Sequence, residues 1–216
     1  VLGLFTVIAL LLALPPSAHG TAPDVGRELR ALSRPSVLLA LATTVMGAGA
    51  MFTLYTYIAP VLAELAGASP AFVTLALVVI GVGFSIGNFT GGRLADWSAD
   101  GAMKIFLSIL AAVMFVQPFV LTTHVGALIG VLVWAAAAFA IVPPTQTRVM
   151  RSASEAPGLA SAFNIGAFNL GNALGAAIGG TVIRLNLGYA AVPVAGGVLA
   201  ALGLIFVYLG SRIRPP

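Results

Sequence analysis

Ionisable side chains cut this 216-residue sequence into five long uncharged runs: 35–63, 65–92, 105–147, 156–183 and 185–211. A helix that crosses a bilayer takes about 20 predominantly apolar residues. Four of the runs therefore hold one helix each, while 105–147 holds two. The break in that longer run is expected at Thr122-Thr123-His124-Val125-Gly126, where polar residues and a glycine favour a turn. Composition agrees: 60% of the residues are hydrophobic and 7% charged, with a mean hydropathy of +1.08, against about half apolar and a quarter charged in soluble domains. The sequence thus predicts an all-α polytopic membrane protein with six complete spans, near 36–57, 71–92, 104–121, 126–142, 157–183 and 188–209.

Residues 1–14 are apolar but short of a span, and Pro15-Pro16 ends them. A signal-peptide core would need basic residues in front of it. The preferred expectation is the end of a preceding transmembrane helix, followed by a cytoplasmic linker over 15–35. With alternating spans, Arg27, Arg30, Arg34, Arg93, Lys104, Arg148, Arg151, Arg212 and Arg214 fall on one side and Arg184 alone on the other. The positive-inside rule places that first side, with the C-terminal tail 211–216, in the cytoplasm. Dispersal of the basic residues among loops argues against a nucleic-acid partner. The partner that composition does imply is the lipid bilayer.

A short pattern occurs twice, 84 residues apart: Gly83-Phe84-Ser85-Ile86-Gly87-Asn88-Phe89-Thr90-Gly91 and Ala167-Phe168-Asn169-Leu170-Gly171-Asn172-Ala173-Leu174-Gly175. Small residues at every fourth position let helix backbones approach closely inside a membrane. Gly83, Gly87, Gly91, Gly171, Gly175 and Gly179 are accordingly read as helix-packing faces. The same offset relates element boundaries, since Pro60 maps onto Pro144. Units of about 36–122 and 126–210 with three helices each must enter the membrane from opposite sides. That predicts an inverted-topology repeat, an arrangement found in secondary transporters.

Three segments carry a resemblance to a known family: Tyr57-Ile58-Ala59-Pro60-Val61-Leu62, Gly91-Gly92-Arg93-Leu94-Ala95-Asp96, and Gln146-Thr147-Arg148-Val149-Met150 running on to Ser161-Ala162-Phe163-Asn164 and through the second copy of the repeat to Gly179-Gly180. With these the chain resembles the C-terminal six-helix half of a major facilitator superfamily transporter, of the bacterial arabinose-efflux and chloramphenicol-efflux kind. The resemblance implies a proton-coupled efflux permease that exports sugars or drugs by alternating access. It also implies a further partner, a missing N-terminal six-helix half or a second copy. An importer of the same fold and a non-transporting membrane remnant or scaffold stay open beside it. The segment Gly92, Arg93, Asp96 with Lys104 resembles the family's conformational gating loop, in which Asp96 matches the acid that engages basic partners; Trp97 replaces a usual basic residue.

None of the six spans carries Asp, Glu, Lys, Arg or His in its interior, so an intramembrane proton carrier would have to lie elsewhere. Acid–base or metal-assisted catalysis needs buried carboxylates, histidines or an activated nucleophile; only His19 and His124 are present, both in loops, and there is no cysteine. Neither an enzyme, nor a cofactor, nor a metal site is expected. Neutral polar and aromatic groups remain for a small-molecule substrate. On the fifth span Asn169 and Asn172 lie about 60° apart around the helix and are candidates for lining a cavity, the alternative being helix–helix hydrogen bonding. Family architecture adds Met46, Tyr55 and Trp134 as cavity contacts. Tyr57 is expected in the aromatic belt, and Gln117-Pro118 as a helix kink.

Overall fold

A computed structural model describes residues 2–13 and 25–212. The linker residues 15–24, with His19, and the tail residues 213–216, with Arg214, lie outside the described residues. Nine α-helices are present among the described residues: α1 (Leu2–Ala13), α2 (Val25–Leu32), α3 (Pro35–Tyr55), α4 (Ile58–Ala66), α5 (Pro70–Val120), α6 (His124–Ala140), α7 (Val142–Ser152), α8 (Pro157–Arg184) and α9 (Ala191–Arg212). Their starts follow from local chemistry. Pro35, Pro70 and Pro157 occupy first-turn positions, where a missing N–H costs nothing. The side chains of Ser69 and Thr123 accept the N–H groups of Phe72 and Gly126 at 3.3 and 3.1 Å. At the end of α4, Gly67 adopts φ 61°, the left-handed turn that glycine makes without strain.

The segment 93–103 is not the loop that its charges suggest. Helix α5 runs through it and leaves helical geometry at a single residue, Ser98 (φ −157°, ψ 108°). The Ser98 hydroxyl accepts the Gly101 N–H at 3.0 Å, capping the helix that restarts there, and small Ala95, Ala99 and Ala102 are buried around the break. At 1.5 Å per residue, 51 straight residues would extend about 75 Å, more than twice a bilayer's hydrocarbon thickness. The break resolves this, because both halves of α5 lie along α6. Gly83, Gly87 and Gly91 in the first half face Leu132, Ala136 and Ala140. From the second half, the Gln117 amide donates to the Gly130 carbonyl at 2.9 Å.

Four helical stretches are long and apolar enough to cross a membrane: Pro35–Tyr55, Pro70–Val120, His124–Ser152 and Ala191–Arg212. Helix α8 has the length, 28 residues, but Asn164, Asn169 and Asn172 lower its hydropathy. The third stretch bends at Ile141 between α6 and α7, and α3 breaks at Thr56-Tyr57 before α4. Tyr57 and Ile141 are again 84 residues apart.

Helix α3 is central, packed against α8 and α9, while α5 packs against α6 and α9. Trp134, Leu54, Leu62, Met103, Leu107, Leu110 and Met114 fill the space between them with almost no exposure. Large apolar side chains such as Val78, Phe89, Phe119 and Ile129 point outward, as a lipid environment requires. Hydroxyls along the helices, including Thr43, Thr53, Ser85 and Ser108, donate to the carbonyl four residues back. These hydroxyl donors are thereby kept from facing hydrocarbon unpaired. Leu4, Phe5 and Val7 of α1 are exposed.

Candidate functional site

The two glycine seams make equivalent contacts. Gly83 lies where a Cβ would come 2.7 Å from Ala135 Cβ and 2.8 Å from the Leu132 carbonyl, and at Gly87 and Gly91 a Cβ would overlap the carbonyls of Ala136 and Ala140. In α8, a Cβ at Gly171 would meet the Val45 carbonyl at 2.5 Å, at Gly175 it would overlap the Gly49 carbonyl, and at Gly179 it would lie 2.8 Å from the Thr53 carbonyl. Both pairs run parallel, since residue numbers rise together along each seam. Only glycine permits this approach. Tyr57 closes the α8 seam: its ring lies over Gly179 and Gly180 and its hydroxyl donates to the Ala176 carbonyl at 3.0 Å. It therefore ties α3 to α8 rather than facing the membrane interface alone.

The two phenylalanines of the repeat bracket one aromatic cluster. Phe168 meets Phe52 edge-on at 6.4 Å, and Phe52 meets Tyr55 at 5.6 Å. Tyr55 lies 5.8 Å from Phe84 and stacks on Trp134 at 6.4 Å and 24°. Phe84 in turn contacts Trp134 at 6.3 Å and stacks on Phe139 at 4.4 Å. Tyr55 and Trp134 are thus brought together, and four phenylalanines join them. Trp134 is fully buried and its Nε1–H has no partner among the described residues. Asn172 is half-buried, with an equally unpartnered Oδ1, and Asn169 is exposed. Met46 lies elsewhere, with its Cβ close to Gly203 of α9. Phe84 and Phe168 belong to the repeated pattern. Phe139 carried no sequence signal beyond its apolar run.

Asn164 is held by helix-to-helix hydrogen bonds. Its Oδ1 accepts from Thr44 Oγ1 at 2.7 Å, its Nδ2 donates to Gln146 Oε1 at 2.5 Å, and Gln146 Nε2 donates to Ser161 Oγ at 2.7 Å. This network joins α3, α7 and α8 next to the basic end of the molecule.

At that end Asp100, and not Asp96, is in contact with a base. Arg148 Nε lies 3.3 Å from Asp100 Oδ1, with the arginine side chain 8% exposed and the aspartate 42%. Asp96 is exposed and has no ion pair among the described residues. Arg93 extends over the Phe89 ring at 5.2 Å and Lys104 over the Tyr208 ring at 4.8 Å; Gly92 has nothing near it. The cause is the break at Ser98. Asp100 sits in the first turn of the restarted helix, facing α7, whereas Asp96 lies on the far side of the break. Arg34 of the residue preceding α3 also donates to both Glu155 oxygens, at 3.0 and 3.1 Å.

Relatives place this arrangement. The chain is 56% identical over 99% of its length to the inner membrane transport protein YdhP of Escherichia coli K12. It is 31% identical over 98% of its length to an uncharacterized MFS-type transporter, YfhI, of Bacillus subtilis 168. The chain is a relative of the major facilitator superfamily transporters. A chloramphenicol resistance protein of Streptomyces lividans shares 29% identity over 89% of the chain. In fold, the crystal structure of the superfamily transporter FucP, in its outward conformation, superposes over 97% of the chain with a TM-score of 0.79 at 20% identity, which establishes the fold alone. The chain spans about half the length of the curated relatives it matches, 55%, 54% and 50% of them, and 52% of FucP. No family model matches the chain.

Proposed function

We propose that the chain forms the C-terminal half of a bacterial inner-membrane efflux permease, built as six spans in two inverted three-helix units, with its C-terminus in the cytoplasm. In this arrangement α3 and α4, with the two halves of α5, make the first unit; α6 and α7, with α8 and α9, make the second. The observation that carries the proposal is the exchange of glycine seams. The seam of each unit packs, in parallel, onto the first helix of the other unit. Flat backbone-to-backbone seams of this kind let helices rock without unpacking a core, which is what alternating access demands.

The aromatic cluster supplies the substrate-facing chemistry, with the unpartnered Trp134 Nε1–H and Asn172 Oδ1 as donor and acceptor. Orphaned polar atoms in an apolar setting are costly unless something binds them. The cluster contains no charge, so the substrate is a neutral, partly apolar small molecule, and a proton carrier belongs to the other half. Export is favoured by the relatives, among them one named for chloramphenicol resistance. Comparison of cells with and without the gene tests the proposal, using a labelled neutral drug and a labelled sugar, each with and without a protonophore. Lower accumulation of one label, abolished by the protonophore, is expected. Higher accumulation would indicate import, and unchanged accumulation of a broad label panel would leave a non-transporting scaffold.

A further inference from the structure

Between α3, α5, α7 and α9, at the basic end and well away from the aromatic cluster, lies a pocket of about 360 Å³. It is within the size range of small-ligand sites. Arg148 and Arg151 line it, together with Ser36, Ser98, Ser152 and Asp100. Arg148 is 93% buried, as its 7% exposure shows, and its one ion pair uses Nε. Its Nη1 is buried with no partner among the described residues. Arg148 lines the pocket, and its buried Nη1 beside it has lost its water without gaining an acceptor, a deficit that an anion drawn against the guanidinium would reduce.

The rest of the lining has the same polarity. The Ser98 oxygen accepts the Gly101 N–H, which leaves its own proton free to donate. The hydroxyls of Ser36 and Ser152 make no hydrogen bond among the described residues. Counting Arg148, Arg151 and Asp100, the pocket carries a net charge of +1. Gly210 is part of the fit: a Cβ there would overlap Arg148 Nη2, so glycine opens the path by which the guanidinium reaches the pocket. At the rim stands Trp97, 88% exposed, a residue type that settles at the headgroup level of a bilayer.

From these features we infer that the pocket binds a phosphate group through Arg148, Arg151 and the serine hydroxyls. The phosphate belongs to an anionic lipid headgroup or to a soluble phosphate ion. Basic pockets between helix ends on the cytoplasmic side take such headgroups. The pocket shares no residue with the aromatic cluster, so the inference does not depend on the direction or identity of transport.

The test uses the protein in the assembly in which it is extracted from its membrane, reconstituted in phosphatidylcholine nanodiscs. Phosphatidylglycerol retention is read by native mass spectrometry, and inorganic phosphate binding by titration calorimetry. Arg151 is exposed, so Arg151→Gln keeps the fold and should weaken binding about fivefold, the effect of one basic residue near a headgroup. Gly210→Ala preserves every charge yet displaces the Arg148 guanidinium, and should weaken binding at least as much. Retention of phosphatidylglycerol without phosphate binding assigns the site to lipid; phosphate binding sensitive to the same substitutions assigns it to the soluble ion. Absence of both ligands from the unmodified protein, or binding unchanged in both variants, would overturn the inference. So would a structure of the assembly with a carboxylate on Arg148 Nη1.

Discussion

At the scale of single residues, the basic end separates two aspartates that look interchangeable in the sequence. Asp100 neutralises a buried arginine, whereas Asp96 faces outward without an ion pair. Removing one partner of a buried pair leaves an uncompensated charge, a cost of about 3–5 kcal/mol when both are buried. With Asp100 nearly half exposed, about 1–2 kcal/mol is expected, since water can screen the remaining arginine. Asp100→Asn should therefore lower the Tm by several degrees in a detergent thermal-shift assay, and Asp96→Asn should leave it unchanged. Sequence alone pointed to Asp96, because its spacing from Gly92 resembles the family's loop. It could not show that the helix restarts at Ser98 and turns Asp100 inward. For Trp134, the legible part was its presence on the fourth span; its burial against Tyr55 and Phe84 follows from long-range packing. Trp134→Phe keeps an aromatic ring at the site, deletes the orphan N–H and leaves a small cavity in the core. The Tm should fall slightly, and efflux of any substrate that accepts this hydrogen bond should fall about tenfold, the worth of one good hydrogen bond.

At the scale of elements, glycine positions decide how closely helices approach. Gly175→Ala drives a methyl into the Gly49 carbonyl and Gly87→Ala drives one into the Ala136 carbonyl, whereas Gly92 has open space around it. Overpacking of this kind costs about 1–3 kcal/mol. Each of the first two substitutions should reduce the Tm and the yield of folded protein in detergent, and Gly92→Ala should match the parent. Efflux loss at unchanged Tm in Gly175→Ala would instead show that the seam matters for motion alone. Helix starts were legible because Pro35, Pro70 and Pro157 are local signals, and the seams were legible because their spacing is regular. The tightness of the break in α5 was not. Charges at Arg93, Asp96 and Asp100 read as a loop, yet the chain leaves helical geometry at Ser98 alone, where the serine caps the restarted helix and three small alanines are buried.

At the scale of the whole molecule, the offset of 84 residues links the repeat motif, the breaks at Tyr57 and Ile141, and the helices that follow them. Five uncharged runs, one of them long enough for two helices, are enough to suggest six spans, but they say nothing of which helices touch. The packing of the glycine seams, α5 onto α6 and α8 onto α3, is a tertiary fact, set by backbone approach between residues far apart in the chain. Its topological consequence is open to measurement, and the absence of cysteine from the chain makes the labelling clean. Single cysteines at Ala68, Thr122 and Asn186 should react with a membrane-impermeant maleimide added to intact spheroplasts. Cysteines at Trp97 and Ser154 should react only after permeabilisation. Thr122 labelling from the same side as Trp97, or Asn186 from the same side as Ser154, would contradict two inverted three-helix units.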